Sequence, residues 1–219
     1  MSDDAIQALM QQGRSALQSG DMDRARNLYE QVLAQIDSTL SETGRSARFM
    51  LGLIEIHTAN YNQARYIYVA LLDEAQSYKD PRGEHLIRHQ LGIIEWLDGQ
   101  YGAALGNLAA EKTLLNVHFP DANCAHAANA YIQGDVMLAM GRADAAADLM
   151  RQALALVENC DELTVEANVY RGLGDVAVAI KDYAAAQRHY SHSHNLFVQA
   201  GQDQAAAEIA RKRDEITST

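Results

Sequence analysis

A glycine recurs in the middle of helix-forming stretches at Gly13, Gly52, Gly92, Gly134 and Gly174, with spacings of 39, 40, 42 and 40 residues. Twelve residues after each stands an alanine: Ala25, Ala64, Ala104, Ala146 and Ala186. Four further on comes a large side chain: Tyr29, Tyr68, Leu108, Met150 and Tyr190. Glycine inside a helix costs about 1 kcal/mol against alanine. Its return at one register therefore marks places where helices cross too closely for a side chain. The expected arrangement puts each Ala at the facing point of the next helix. The bulky residue lies one turn along the same face and fills the space toward the following repeat. A period of this length belongs to stacked helical hairpins, which bury their apolar faces only against their neighbours.

The punctuation agrees. Short turns separate Gly from Ala at Ser19-Gly20-Asp21, Ala59-Asn60-Tyr61, Gly99-Gln100-Tyr101, Gly141-Arg142 and Lys181-Asp182-Tyr183. Both prolines, Pro81 and Pro120, fall in breaks between units, where proline suits the start of a helix. The pattern predicts eleven helices near 3–18, 22–38, 43–58, 62–78, 82–98, 101–117, 122–140, 143–159, 163–180, 183–199 and 202–216.

Composition narrows the function. With 48% hydrophobic residues the 219-residue chain is too apolar to be disordered. Its longest apolar runs fall far short of the ~20 residues of a membrane span. A net charge of −11 argues against a general nucleic-acid binder. Two cysteines, Cys124 and Cys160, are too few for a disulfide framework. The acidic start, MSDDAIQALM, does not have the pattern of a signal peptide. The expectation is a soluble cytoplasmic protein in a reducing compartment, with no membrane or nucleic-acid partner.

The Gly–turn–Ala–bulky register, as in LGLIEIHTANYNQARYIY and LGDVAVAIKDYAAAQRHY, resembles the tetratricopeptide repeat (TPR) family over about residues 3–200. The spacing near 40 resembles its long-hairpin members, found among bacterial peptide-sensing regulators and adaptor proteins. The first-helix Trp of many such repeats is absent; the single tryptophan, Trp96, lies on another face. The resemblance implies an all-α, right-handed α-solenoid of five hairpins, about 3–39, 43–79, 82–118, 122–159 and 163–200. A capping helix at 202–216 completes a single domain over 1–219. It also implies a concave groove lined by the first helix of each hairpin.

On the groove-facing positions stand Phe49, Leu53, Ile56 and His57 in the second repeat. His89, Ile93 and Trp96 follow in the third, Tyr131 and Asp135 in the fourth, and Asn168 and Arg171 in the fifth. A solvent-filled groove would be polar there, so this apolar cluster points to an interaction site, and Trp, Tyr and Arg are the types that dominate binding energy. The leading expectation is a non-catalytic adaptor or scaffold that binds a peptide or a partner's helix. Two alternatives stand beside it. One is a peptide-responsive regulator acting through a separate effector, although repeats that begin by residue 5 leave no room for an effector domain ahead of them. The other is a self-associating module, a homodimer included.

Catalytic and metal signals are weak. His85 and His89 share a face, but EHLIRH is not the H-E-x-x-H motif and brings no third ligand. HYSHSH (His189, His192, His194) reads as a surface run. Cys124 and His126 diverge on a helix. Glu55 and Glu95 repeat at one position, as do Asp135 and Asp175, which suits a structural or shared ligand-facing role rather than one two-carboxylate acid–base site. No enzyme activity, cofactor or metal is expected. The Arg211-Lys212-Arg213 tail complements a helix C-terminus.

Overall fold

The computed structural model describes residues 3–217. Among them it is helical throughout: α1 (Asp3–Gln18), α2 (Met22–Gln35), α3 (Glu42–His57), α4 (Tyr61–Ser77), α5 (Pro81–Leu97), α6 (Tyr101–His118), α7 (Asn123–Ala139), α8 (Ala143–Val157), α9 (Leu163–Ala179), α10 (Tyr183–Gln199) and α11 (Asp203–Thr217). Each predicted helix forms, and its ends lie within three residues of expectation. Helix starts are set by local chemistry. The side chains of Asp21, Ser41, Asp80 and Asp182 accept from the amides of Arg24, Gly44, Gly83 and Ala185, satisfying donors that a first turn leaves open. Pro81 occupies the first position of α5. The turns pass through left-handed backbone at Gly20, Gly99 and Gly141, but also at Ala59 (φ 58°) and Lys181 (φ 63°).

The chain divides into two compact units, Met1–Gln100 and Tyr101–Thr219; the division falls inside the expected third repeat. In the first, α1 to α5 pack each on the next. Their core runs from Ile6, Met10, Leu28 and Tyr29 to Tyr68, Leu71, Ile87, Leu91 and Ile94. In the second, α6 packs on α7, α7 on α8, and α9 on both, followed by α10 and α11. The end helix α11 buries Ala206 and Ile209 and partly buries Ala205 and Ile216. Lys212 does not belong to an outward basic spot: its Nζ donates to Asp175 Oδ1 at 2.7 Å.

The recurrent glycine has a different partner from the one expected. A Cβ on Gly13 would lie 2.8 Å from the Tyr29 ring, one on Gly52 2.6 Å from the Tyr68 ring, and one on Gly134 2.8 Å from Met150 Cε. Gly174 stands in the same relation to Tyr190. The glycine thus seats the bulky residue of its own hairpin. At Gly134 the backbone of the expected alanine is close as well, with Ala146 O 3.5 Å from the same Cβ position. The bulky residue also faces the following repeat, as expected: Tyr29 shares a core with Ala47 and Ile54 of α3, Tyr68 with Ile87 and Leu91 of α5, and Met150 fills the space beside Gly172 of α9.

Cys124 and Cys160 are bonded to each other, with their Cα atoms 5.1 Å apart. The cysteine argument for a reducing compartment therefore does not hold. No helix among the described residues is long and apolar enough to cross a membrane.

Candidate functional site

In the first unit, α3, α4 and α5 leave between them a cavity of about 710 Å³. Helix α3 contributes Arg45, Ser46, Phe49 and Met50, two adjacent i, i+4 pairs on one face. Helix α4 contributes Leu71 and Ala75; α5 contributes Gly83, Leu86 and Ile87; the connecting turn contributes Tyr78 and Asp80. The volume lies within the range of small-ligand and side-chain pockets, roughly 300–1,000 Å³.

The walls are positioned from below. The Phe49 and Tyr68 rings meet edge to face with centroids 5.2 Å apart, and the Tyr68 hydroxyl donates to Phe49 O at 3.0 Å. Burial pushes the Tyr68 phenol pKa well above its ordinary value. Large apolar surface stays open at the mouth: Tyr78 is 59% exposed and Leu86 43%. The Arg45 guanidinium lies 5.6 Å from the Tyr78 ring centroid and donates to Leu40 O at 2.5 Å. Asp80 is occupied in capping α5, accepting from Gly83 N at 3.0 Å. The lining thus offers aromatic and aliphatic surface with one cation at its edge, a chemistry for holding an apolar side chain.

Of the groove residues expected from sequence, Phe49 lines this cavity, and Ile56 packs into the core behind it. Leu53, His89, Ile93 and Trp96 are half-buried and His57 is exposed, all outside the lining. Sequence reasoning passed over Arg45, Ser46, Met50, Tyr78 and Leu86. Ser46, Met50 and Leu86 sit a turn nearer the starts of α3 and α5 than the positions centred on Trp96. Tyr78 belongs to a turn that the groove argument ignored.

The polar groove residues of the second unit are engaged with one another. Arg171 of α9 pairs with Asp135 of α7 through Nη2 and with Asp175 through Nη1 at 3.0 Å. Asp175 also accepts from Tyr190 Oη at 2.6 Å and from Lys212. Asp135 is only 4% exposed; burial raises its pKa, and Arg171 pulls against that. Burial lowers the Arg171 pKa, but Asp135 and Asp175 outweigh it and hold the guanidinium above its ordinary value. Tyr131 beside them is pushed up to about 12, chiefly by burial. Asn168 is half-buried and donates to Thr164 O on its own helix.

The repeated carboxylates are structural. Glu55 takes Arg26 of α2, and Glu95 takes Arg65 of α4 in a two-point pair at 2.8 and 3.0 Å. Each pair joins the second helix of one hairpin to the first helix of the next. No group of three or more His, Cys, Asp or Glu among the described residues could hold a metal ion. His85 is buried. His192 meets the Tyr170 ring at a tilt with centroids 4.0 Å apart, and His189 lies 6.1 Å from the same ring, so this run is partly packed. His126 Nε2 lies 3.2 Å from Phe119 O.

The family description Tetratricopeptide repeat matches residues 126–197. No curated protein matches the chain by sequence. A thermophilic TPR protein from Thermus thermophilus is 17% identical, covers 98% of this chain and 100% of its own, and has a TM-score of 0.70. BtubC from P. vanneervenii is 14% identical over 90% of this chain and 81% of its own, with a TM-score of 0.67. A signal transduction ATPase from Pyrococcus horikoshii, described as having a tetratricopeptide repeat sensor, is 15% identical over 94% of this chain and 32% of its own, with a TM-score of 0.70. At such identities the likeness is one of fold. Residues 126–197 are tetratricopeptide repeats, and the chain as a whole has the fold of proteins built from them.

Proposed function

We propose that this chain is a protein-interaction module, an adaptor or scaffold, that holds a short peptide or a partner's helix by seating an apolar side chain between α3, α4 and α5. The observation that carries this reading is the cavity itself: about 710 Å³, walled by Phe49, Met50, Leu71 and Ile87, with Tyr78 and Leu86 exposed at its mouth. Exposed apolar surface gathered around a concavity is where binding energy concentrates. Arg45 at the edge supplies direction, because a carboxylate or carbonyl of the ligand can bond to its guanidinium. Leu53, His57, His89, Ile93 and Trp96 extend the first-helix faces away from the cavity and would meet the rest of the ligand. Catalysis has no part in this reading, and a cytoplasmic location is proposed with it.

The test is a peptide-display selection against the full chain, followed by calorimetric Kd values for the selected peptides. Leu86→Glu and Tyr78→Ala alter exposed lining positions, which spares the fold. Each should weaken binding by about 30-fold, the loss of one hot spot. Peptides that bind both variants as tightly as the parent would place recognition elsewhere.

A further inference from the structure

The two cysteines of the chain occupy the open end of one hairpin. Cys124 stands in the first turn of α7, and Cys160 three residues past the end of α8. Their Cα separation of 5.1 Å is within the natural range for a disulfide. Both residues are half-buried, within reach of a thiol reagent.

The hairpin has apolar packing besides this bond: Ala127, Ala130, Ala153 and Val157 form a buried cluster with Val169 of α9, and Cys160 packs against it. At the other end of the hairpin, Gly141 N donates to Leu138 O and Arg142 N to Met137 O, both at 2.9 Å. The α8–α9 junction is held differently. Glu158, Asn159, Asp161 and Glu162 are exposed. Its backbone bonds are those of isolated turns, Asn159 N to Leu156 O at 3.2 Å and Cys160 N to Val157 O at 3.1 Å. Glu162 makes no side-chain cap for α9, whereas Asp21, Ser41, Asp80 and Asp182 cap their helices. The disulfide is therefore the strongest tether on this junction.

We infer that Cys124 and Cys160 form a reversible redox latch on the α8–α9 junction: closed, it pins residues 158–162 to the start of α7; open, it frees them while the hairpins stay folded. The inference is independent of peptide binding. Opening needs an external thiol of the glutathione class. One reductant thiolate attacks a cysteine sulfur, the S–S bond breaks, and a mixed disulfide forms while the other cysteine leaves as a thiolate and takes a proton. A second reductant thiolate attacks the mixed disulfide at the reductant sulfur and releases the second cysteine. In sum, two thiols become one disulfide, and two electrons and two protons pass to the cysteines. Closure is the reverse, with the disulfide form of the couple as oxidant. Disulfides that persist in reducing compartments are mostly of this transient, sensing kind.

The test equilibrates the full chain with glutathione couples from reducing to oxidising, traps free thiols by alkylation, and counts them by mass spectrometry. Hydrogen exchange is followed on the same samples. The expected result is a monomeric chain that passes between zero and two free thiols. On opening, exchange over 158–166 quickens by about tenfold or more, with the α10–α11 core unchanged. Cys124→Ser should exchange like the reduced chain under every couple. A bridge that stays closed in a large excess of reduced glutathione overturns the latch. So do glutathione adducts or crosslinked dimers in place of the internal bond, and so does exchange over 158–166 that ignores the thiol state.

Discussion

The ring of Tyr68 in α4 occupies the space that a side chain at Gly52 in α3 would need: a Cβ there would stand 2.6 Å from Tyr68 Cε2. The ring cannot swing aside freely, because its hydroxyl is bonded to Phe49 O. Gly52→Ala should therefore cost about 1–3 kcal/mol through overpacking, read as a lowered urea midpoint. In a Tyr68→Leu background the same substitution should cost less. Equal costs in both backgrounds would show that the ring does not seat on Gly52.

Lys181 holds a left-handed backbone at φ 63°, a conformation that costs an L-residue roughly 1 kcal/mol and glycine almost nothing. Lys181→Gly should raise stability by roughly 0.5–1 kcal/mol. The same change at Ala59, φ 58°, should act in the same direction. Denaturant midpoints that fall in both variants would mean that these turns are not left-handed in solution.

Arg171→Met should be far more damaging than Lys212→Met, although both remove a cation from one cluster. Arg171 neutralises Asp135, which is almost wholly buried, and stranding such a carboxylate costs roughly 3–5 kcal/mol. Lys212 is a third exposed on its pair with Asp175, and such pairs are worth about 0–1 kcal/mol. The double variant Arg171→Met, Asp135→Leu should recover much of the loss. Calorimetric unfolding of the three proteins decides the ranking.

Burial, with Arg188 and His192 nearby, holds the His189 pKa below its ordinary 6.5. The unfolded chain then takes up a proton at this site before the folded chain does. Stability from His189 is accordingly full above pH 6.5 and falls as pH drops through 6.5 toward the folded pKa. An NMR titration should place the His189 ring midpoint below 6.5, and His189→Gln should flatten the stability profile below pH 6.5. A midpoint above 6.5 would contradict the packing described at Tyr170.

The helices were legible because their signals are local and repeated. Gly, Ala and a large residue in one register, with Asp or Ser at helix starts and Pro81 opening α5, fix the boundaries closely. Which residue meets the glycine was not legible. Spacing assigns Ala64 and Tyr68 to one face but does not give the rotation that sets Tyr68 on Gly52. The apolar face of α3 was visible through Phe49, whereas the cavity depends on Tyr78 in a turn and Leu86 near the start of α5, whose approach to Phe49 is tertiary. Asp135 and Arg171 read as groove-facing polars, and their pairing was not visible because a sequence does not display a charge pair 36 residues apart. The bond between Cys124 and Cys160 was hidden by the same separation.

The paired charges Arg26–Glu55 and Arg65–Glu95 recur after 39 and 40 residues, and this has a consequence for how such a chain can grow. The second hairpin carries an acceptor, Glu55, for the cation behind it and a cation, Arg65, for the acceptor ahead, so its two ends match in sign and position. A duplicate of residues 22–60 spliced in after Asn60 would bring its own Arg26–Glu55 pair and leave the Arg65–Glu95 pair as it stands. The first hairpins can therefore be lengthened by copying without redesigning a joint. The third hairpin carries Leu105 where Arg26 and Arg65 stand in the first two, so copying across that point would leave a carboxylate at the seam without its cation.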